Sequence, residues 1–274
     1  MFKWIRLLVT CGPKIIIDYF RWMRKYSKHP EKYPLELRYK TVREEILFFM
    51  QHLRIDLDAK NVEALDKVKG PYLMVSNHLA MVDTLMAIAL SKKPVSFVAK
   101  IELTHTPFIG RVLKAIDCVF LDRGNLRQNL DALSIVEKRL KEGYCSYIIY
   151  PEGTRQKNPR EKMNQFHPGS IKMAFKSGVP LIAMAEYGTF RPFGGKHDYR
   201  RNFIQMHYFD PIYPEEMKDQ GVADFALSVQ NMLQAEIDAE READDAYILA
   251  KKYKEKLPNP NWCDIALKES KAKK

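Results

Sequence analysis

Short apolar runs recur along this chain, and the first three close in polar turns ahead of stretches with helical periodicity. Residues 71–76 (Pro-Tyr-Leu-Met-Val-Ser), 95–99, 118–121, 147–150 and 179–187 are runs of this kind. Brief apolar runs bounded by turn residues read as buried strands, while 81–90, 107–116 and 126–141 between them read as helices. That alternation predicts an α/β fold, a central sheet flanked by helices. A weaker alternation over 203–208 reads as an additional edge strand, and 223–253 as a heavily charged helix. With 274 residues and 46% hydrophobic content, the chain is able to bury one substantial core and is too apolar to be disordered. No internal repeat or low-complexity linker interrupts it.

The turns after these strands carry the chemistry. The first run opens into Asn77-His78-Leu79-Ala80-Met81-Val82-Asp83, which puts a histidine at a strand's carboxyl end and a carboxylate on the first turn of the next helix. Open α/β sheets build their sites at that end. A tight turn would let Asp83 fold back on His78 and fix its tautomer, as the carboxylate of a serine-protease triad does. No Ser or Cys has the surroundings of a nucleophile elbow, so the pair is suited to activating a hydroxyl on the substrate. An isolated histidine and helical aspartate five positions apart more often simply cap and pack. Two further turns change that balance. The run ending at Leu121 opens into Asp122-Arg123-Gly124-Asn125, and the run ending at Tyr150 into Pro151-Glu152-Gly153-Thr154-Arg155. Glycine admits an anion close to backbone N–H groups, and a guanidinium offers a planar fork for phosphate oxygens. Lys100, at the end of another strand, adds a positive charge to the same rim.

These blocks, with Val179-Pro180-Leu181-Ile182 as a fourth, resemble in order and content the glycerolipid acyltransferases typified by the 1-acyl-sn-glycerol-3-phosphate (lysophosphatidic acid) acyltransferases. The resemblance covers about residues 55–215. It implies a glycerolipid acyltransferase-like central sheet flanked by helices, and transfer of a fatty acyl group from a thioester to the sn-2 hydroxyl of lysophosphatidic acid, giving phosphatidic acid. It makes His78 the general base and Asp83 its orienting partner. It assigns Arg123, Glu152, Gly153 and Arg155 to the glycerol phosphate, with Lys100 added here on charge. Coenzyme A or acyl carrier protein would bring the acyl group as co-substrate, and no metal or other cofactor is expected. The alternatives are another lysophospholipid acceptor, a thioester hydrolase that turns the same pair on water, and a non-catalytic lipid-binding module, which would have no use for the pair.

Charge adds a location. The formal net charge of +11 lies at the two ends: residues 1–30 hold seven basic side chains and one acidic, residues 251–274 eight and three, and the middle is balanced. No nucleic-acid-binding motif accompanies the excess, so an anionic membrane surface is the expected partner and nucleic acid is not. After Gly12-Pro13, taken as a helix start, Lys14, Asp18, Arg21, Lys25 and Lys28 form a polar stripe opposite Ile15, Ile16, Tyr19, Phe20, Trp22, Met23 and Tyr26. A second helix is expected over 34–53, paired with the first as an antiparallel hairpin. Residues 1–54 thus read as an amphipathic two-helix membrane-association motif and 55–274 as the α/β acyltransferase domain with a helical basic tail. No run is long enough to span a bilayer and none has a signal-peptide cleavage site, which predicts a peripheral or monotopic protein. Scattered cysteines (Cys11, Cys118, Cys145, Cys263) argue against zinc and disulfides and for a cytoplasmic setting.

Overall fold

The computed structural model describes residues 2–122, 124–194 and 200–255. The seven strands are β1 (Ile55–Lys60), β2 (Leu73–Ser76), β3 (Val95–Lys100), β4 (Val119–Leu121), β5 (Ser146–Ile149), β6 (Leu181–Tyr187) and β7 (Asn202–Tyr208). They form one sheet in the order β1-β7-β6-β2-β5-β3-β4. All neighbours are parallel except β6 and β7, which meet antiparallel with Met184 opposite Tyr208. The helices are α1 (Phe2–Asp18), α2 (Arg24–Lys28), α3 (Leu35–His52), α4 (Ala64–Lys67), α5 (Met81–Leu90), α6 (Ile109–Ala115), α7 (Leu126–Lys141), α8 (Pro168–Ser177), α9 (Pro214–Met217) and α10 (Val222–Leu249).

Strand periodicity divides the core into two layers, because successive side chains of a strand point to opposite faces. In β2, Met74 faces α3 and α5, whereas Leu73 and Val75 face α7, α8 and α10. In β6, Ile182 and Met184 join the first layer, and Leu181, Ala183, Ala185 and Tyr187 the second. Both faces of these central strands are covered, which is why their sequences are nearly continuous apolar runs.

Helices α5 and α7 begin and end where periodicity places them. Four expectations are corrected. The 203–208 segment is not at the edge: β7 lies between β6 and β1, and the edge on that side is β1, which the apolar-run reading passes over. In β1, Ile55 and Leu57 are buried while Asp56 and Asp58 alternate with them, so the segment looks polar. Arg201 anchors this edge by donating from Nε and Nη2 to Asp56 Oδ2, at 3.0 and 2.6 Å. Helix α8, between the third and fourth blocks, is a further element missed, and its Pro168 occupies the first turn, where no N–H is needed.

The other two corrections concern the N-terminus. Pro13 does not start the first helix but lies inside α1, and a π-helical turn, Tyr19–Met23, joins α1 to α2. A π turn holds an extra residue and rotates the rest of the helix by roughly 100°. Trp22 and Met23, expected on the outward apolar face, are buried with Leu7 and Cys11 in the first core layer. Conversely, Lys14 and Asp18 of the expected polar stripe face α3, where Lys14 bonds both Asp18 and Glu45. Arg6 Nη1 donates to the carbonyl of His52 at 2.8 Å, so α1 and α3 run antiparallel, as expected. What remains outward is Trp4, Ile5, Leu8, Val9, Ile16, Ile17 and Phe20, all at least half exposed. Among the described residues, no helix is long and apolar enough to cross a membrane.

Candidate active site

Parallel pairing of β2 with β5, with Val75 opposite Ile149, brings their carboxyl ends level. The chain therefore leaves the sheet side by side at His78 and Glu152, and the two residues meet: the His78 N–H donates to Glu152 Oε1 at 2.7 Å. The His78 carbonyl accepts from the Gln156 N–H at 2.8 Å, so both sides of its backbone are held by the turn after β5. Glu152 Oε2 accepts from the Asn164 backbone and side-chain N–H groups, each at 3.0 Å. Burial pushes the Glu152 carboxyl above its ordinary range while these three donors pull it back. Expected among the phosphate ligands, Glu152 has both oxygens committed inward, and it serves the site by tying its two loops together.

Asp83 does what the spacing anticipates. Ala80, just before α5, is extended, and Asp83 at the third helical position reaches back to accept the Ala80 N–H at 2.9 Å, the carboxylate half of a capping box. The same oxygen accepts the Leu79 N–H at 2.7 Å and lies 2.8 Å from His78 Nδ1. A fully buried carboxylate accepting two backbone N–H groups acts as an anion, so Nδ1 carries the hydrogen and donates to it. Nε2 is then the nitrogen with the free lone pair. Asp83 has no exposed side-chain surface whereas His78 keeps 18%, so the imidazole meets solvent and the carboxylate does not.

Tyr150, from the third block, packs its ring against the imidazole with centroids 4.1 Å apart and planes 19° from parallel. Its hydroxyl and the Thr84 hydroxyl lie 3.0 Å apart, and burial holds the phenol well above its ordinary value. The ring forms a wall beside the imidazole. Gly153 has φ +66°, the left-handed region, and a Cβ there would lie 3.3 Å from His167 Cδ2. Arg155 is exposed and makes no hydrogen bond or ion pair among the described residues. Lys100 stands at the end of β3, the neighbour of β5, and pairs with Glu102 at 2.6 Å. Arg123 lies outside the described residues.

The fourth block leads into β6 and supplies its first two residues, and that strand supports the site from behind. Asn77 exchanges two hydrogen bonds with Glu186 of that strand: Asn77 Nδ2 donates to the Glu186 carbonyl, and the Glu186 N–H donates to Asn77 Oδ1, both at 2.9 Å. Gln156, Asn164, Tyr150 and Glu186 have structural or walling parts in the site that no spacing in the chain announces, because each acts through a contact across loops or strands. Gln156 and Glu186 stand out as buried polar residues, and that burial is a property of the fold.

A family model described as Acyltransferase matches residues 56–186. A probable 1-acyl-sn-glycerol-3-phosphate acyltransferase of Mycoplasma genitalium is 33% identical over 200 residues, 68% of this chain and 72% of that protein. One of Mycoplasma pneumoniae with the same description is 32% identical over 171 residues, 61% of this chain and 62% of that protein. The 1-acyl-sn-glycerol-3-phosphate acyltransferase of Saccharomyces cerevisiae is 24% identical over 187 residues, 68% of this chain and 62% of that protein. The chain thus spans a little under two thirds of the length of two of these relatives. A crystal structure of the 1-acyl-sn-glycerophosphate (LPA) acyltransferase PlsC from Thermotoga maritima shares the fold, with a TM-score of 0.66, 21% identity, and coverage of 88% of this chain and 98% of that one.

Proposed function

We propose that this chain, which belongs to the acyltransferase family, moves a fatty acyl group from an acyl thioester to the sn-2 hydroxyl of 1-acyl-glycerol-3-phosphate, giving phosphatidic acid. The observation that carries the reading is the bond from His78 Nδ1 to buried Asp83, which leaves Nε2 as the available base at the rim of the sheet beside Gly153 and Arg155. The descriptions of the relatives favour this acceptor.

The acceptor hydroxyl gives its proton to His78 Nε2 as its oxygen attacks the thioester carbonyl carbon. The tetrahedral adduct collapses, the C–S bond breaks, and the departing sulfur takes the proton from the imidazolium. The products are the ester and a free thiol, with no acyl-enzyme between them. Asp83 stabilises the imidazolium and keeps Nε2 aimed. The phosphate sits against Arg155 and the backbone at Gly153, with Arg123 and Lys100 adding charge, and the glycerol hydroxyl is thereby held near the base. Positioning of this kind lowers barriers by roughly 7 kcal/mol or more in favourable cases. The thioester is carried by coenzyme A or acyl carrier protein.

The enzyme works as a peripheral or monotopic protein at the cytoplasmic face of a membrane. The outward face of α1, with Trp4, Ile5, Leu8, Val9, Ile16, Ile17 and Phe20, and the basic residues of the same segment support this. Incubation with an acyl thioester, with and without lysophosphatidic acid, tests the reaction by following thiol and free fatty acid together. Thiol release that requires the acceptor and yields no free acid is the expected result. Acceptor-independent release of fatty acid would make the protein a hydrolase, and no thiol release at all would leave a lipid-binding module.

A further inference from the structure

Behind the site lies a carboxyl that the acyl-transfer steps do not use. Glu186 is wholly buried at the end of β6, and its side chain points into the first core layer with Ile182 and Met184 of the same strand. Glu186 Oε1 accepts one hydrogen bond, from Ser76 Oγ at 3.0 Å. Glu186 Oε2 and Asp83 Oδ1 are both buried and have no hydrogen-bond partner among the described residues, and the Tyr208 hydroxyl is a third such atom. The titratable groups that act on Glu186 are Asp83 from α5, Tyr150 just after β5, Tyr208 from β7 and, more weakly, Glu240 from α10. None is a cation, and Glu186 makes no ion pair among the described residues.

Two wholly buried carboxyls that act on each other do not readily both ionise, because each charge opposes the other and no cation compensates either. Hydrogen bonding decides which one keeps the proton. Asp83 Oδ2 accepts from two backbone N–H groups and the imidazole, all of which favour the anion. Glu186 has a single hydroxyl donor. We propose that Glu186 is a positioning residue for the His78–Asp83 pair: it holds the proton of a two-carboxyl pair, so that the one negative charge rests on Asp83, where it orients the imidazole. Burial, with the Asp83 charge beside it, drives the Glu186 carboxyl well above its ordinary range, in the same direction. Glu186 touches neither base nor substrate. It acts through Asp83 by the charge it does not carry, and through Ser76, which its Oε1 fixes two residues before His78.

The inference rests on the reading of His78 and Asp83 as the catalytic pair, and its test separates the two. His78 is followed by NMR titration of histidine-labelled full-length protein, its signal assigned by its loss in His78→Ala, in wild type, Glu186→Gln and Glu186→Leu. The pH dependence of acyl transfer is measured on the same proteins. Glutamine is neutral and keeps both a donor and an acceptor, so the His78 midpoint should move by no more than about 0.3 pH units and kcat should stay within about threefold of wild type. Glu186→Leu should lower kcat by about tenfold or more with KM for both substrates little changed, a loss that glutamine rescues. A fall of about one pH unit in the His78 midpoint in Glu186→Gln would show that a negative charge had been removed, and would overturn the proposal. So would a folded Glu186→Leu protein with wild-type kcat. If Glu186→Leu does not fold, the glutamine midpoint decides alone. The NMR readout needs no substrate, so failure of wild-type protein to transfer acyl groups would refute the proposed function and leave this inference to its own measurement.

Discussion

At the residue scale, the site rests on His78. Replacing it with Ala should lower acyl transfer by about 10²- to 10⁴-fold, the usual loss for a general base, with the circular dichroism spectrum unchanged. A folded variant with more than about a tenth of wild-type turnover would remove His78 from that role. Arg155 is exposed with no partner among the described residues, which suits a side chain reserved for a ligand. Arg155→Ala should raise KM for lysophosphatidic acid by about tenfold while leaving KM for the thioester within about twofold, because the charge-assisted contact is to phosphate alone. Equal changes in both constants would place the phosphate elsewhere. Gly153 is constrained differently, by its φ of +66° and by His167. An L-residue there is strained by about 1 kcal/mol, so Gly153→Ala should lower both the melting temperature and activity, and an unchanged melting temperature would show that the turn adapts.

At the scale of elements, the N-terminal rod has an inner and an outer face. Removing residues 1–28 would strip Leu7, Cys11, Trp22 and Met23 from the core as well as any membrane contact, so substitution on the outer face is the cleaner probe. Leu8 and Ile17 are 72% and 63% exposed. Leu8→Gln together with Ile17→Gln should leave the melting temperature unchanged and reduce sedimentation with anionic vesicles by more than about tenfold, since each apolar side chain transferred from water is worth about 1.5–3 kcal/mol. Added salt should weaken wild-type binding without abolishing it, because screening acts on the basic residues and not on the apolar face. Vesicle binding equal to wild type would assign this face another partner. Helix α10 offers a different test. Its Glu240 is buried with its carboxyl pushed up to about 8, chiefly by burial and then by the neighbouring Glu236 charge. An unfolded chain releases that proton near 4.5 and the folded one holds it to about 8, so this residue's contribution to stability is full below pH 4.5 and is lost as pH rises towards 8. Glu240→Gln should therefore stabilise the protein by a margin that grows across this window, to on the order of a few kcal/mol at its upper end. Melting curves at pH 5 and pH 8 check it, and a margin that shrinks with pH would reverse the sign.

For the molecule as a whole, the chain alone determines the elements whose pattern is local. Helices α5 and α7 and strands β2, β3 and β6 follow from apolar periodicity, since a strand covered on both faces must be apolar throughout and a helix must show a stripe. The His78–Asp83 pairing is equally local, because five positions across a strand-to-helix turn leave Asp83 one way to cap α5, and that way passes the imidazole. Arginine beside glycine after a strand is equally legible in the chain, and it is the pattern from which the phosphate site is proposed. Strand order is not local. That β7 is interior and β1 is the edge depends on which backbone partners which, and backbone hydrogen bonds are the same for every residue type. The inward turn of Trp22 and Met23 depends on one π-helical turn, a rotation that adds no distinctive residue. Glu152 shows the same limit: beside Gly153 and Arg155 it reads as part of an anion site, and only the register of β2 against β5 aims its carboxylate at the backbone of His78. Glu186 lies 108 residues from His78 in the chain and meets the site because β6 pairs with β2. Which buried carboxyl keeps a proton is set by donors and charges brought together from several strands and helices, and that assembly exists only once the sheet has formed.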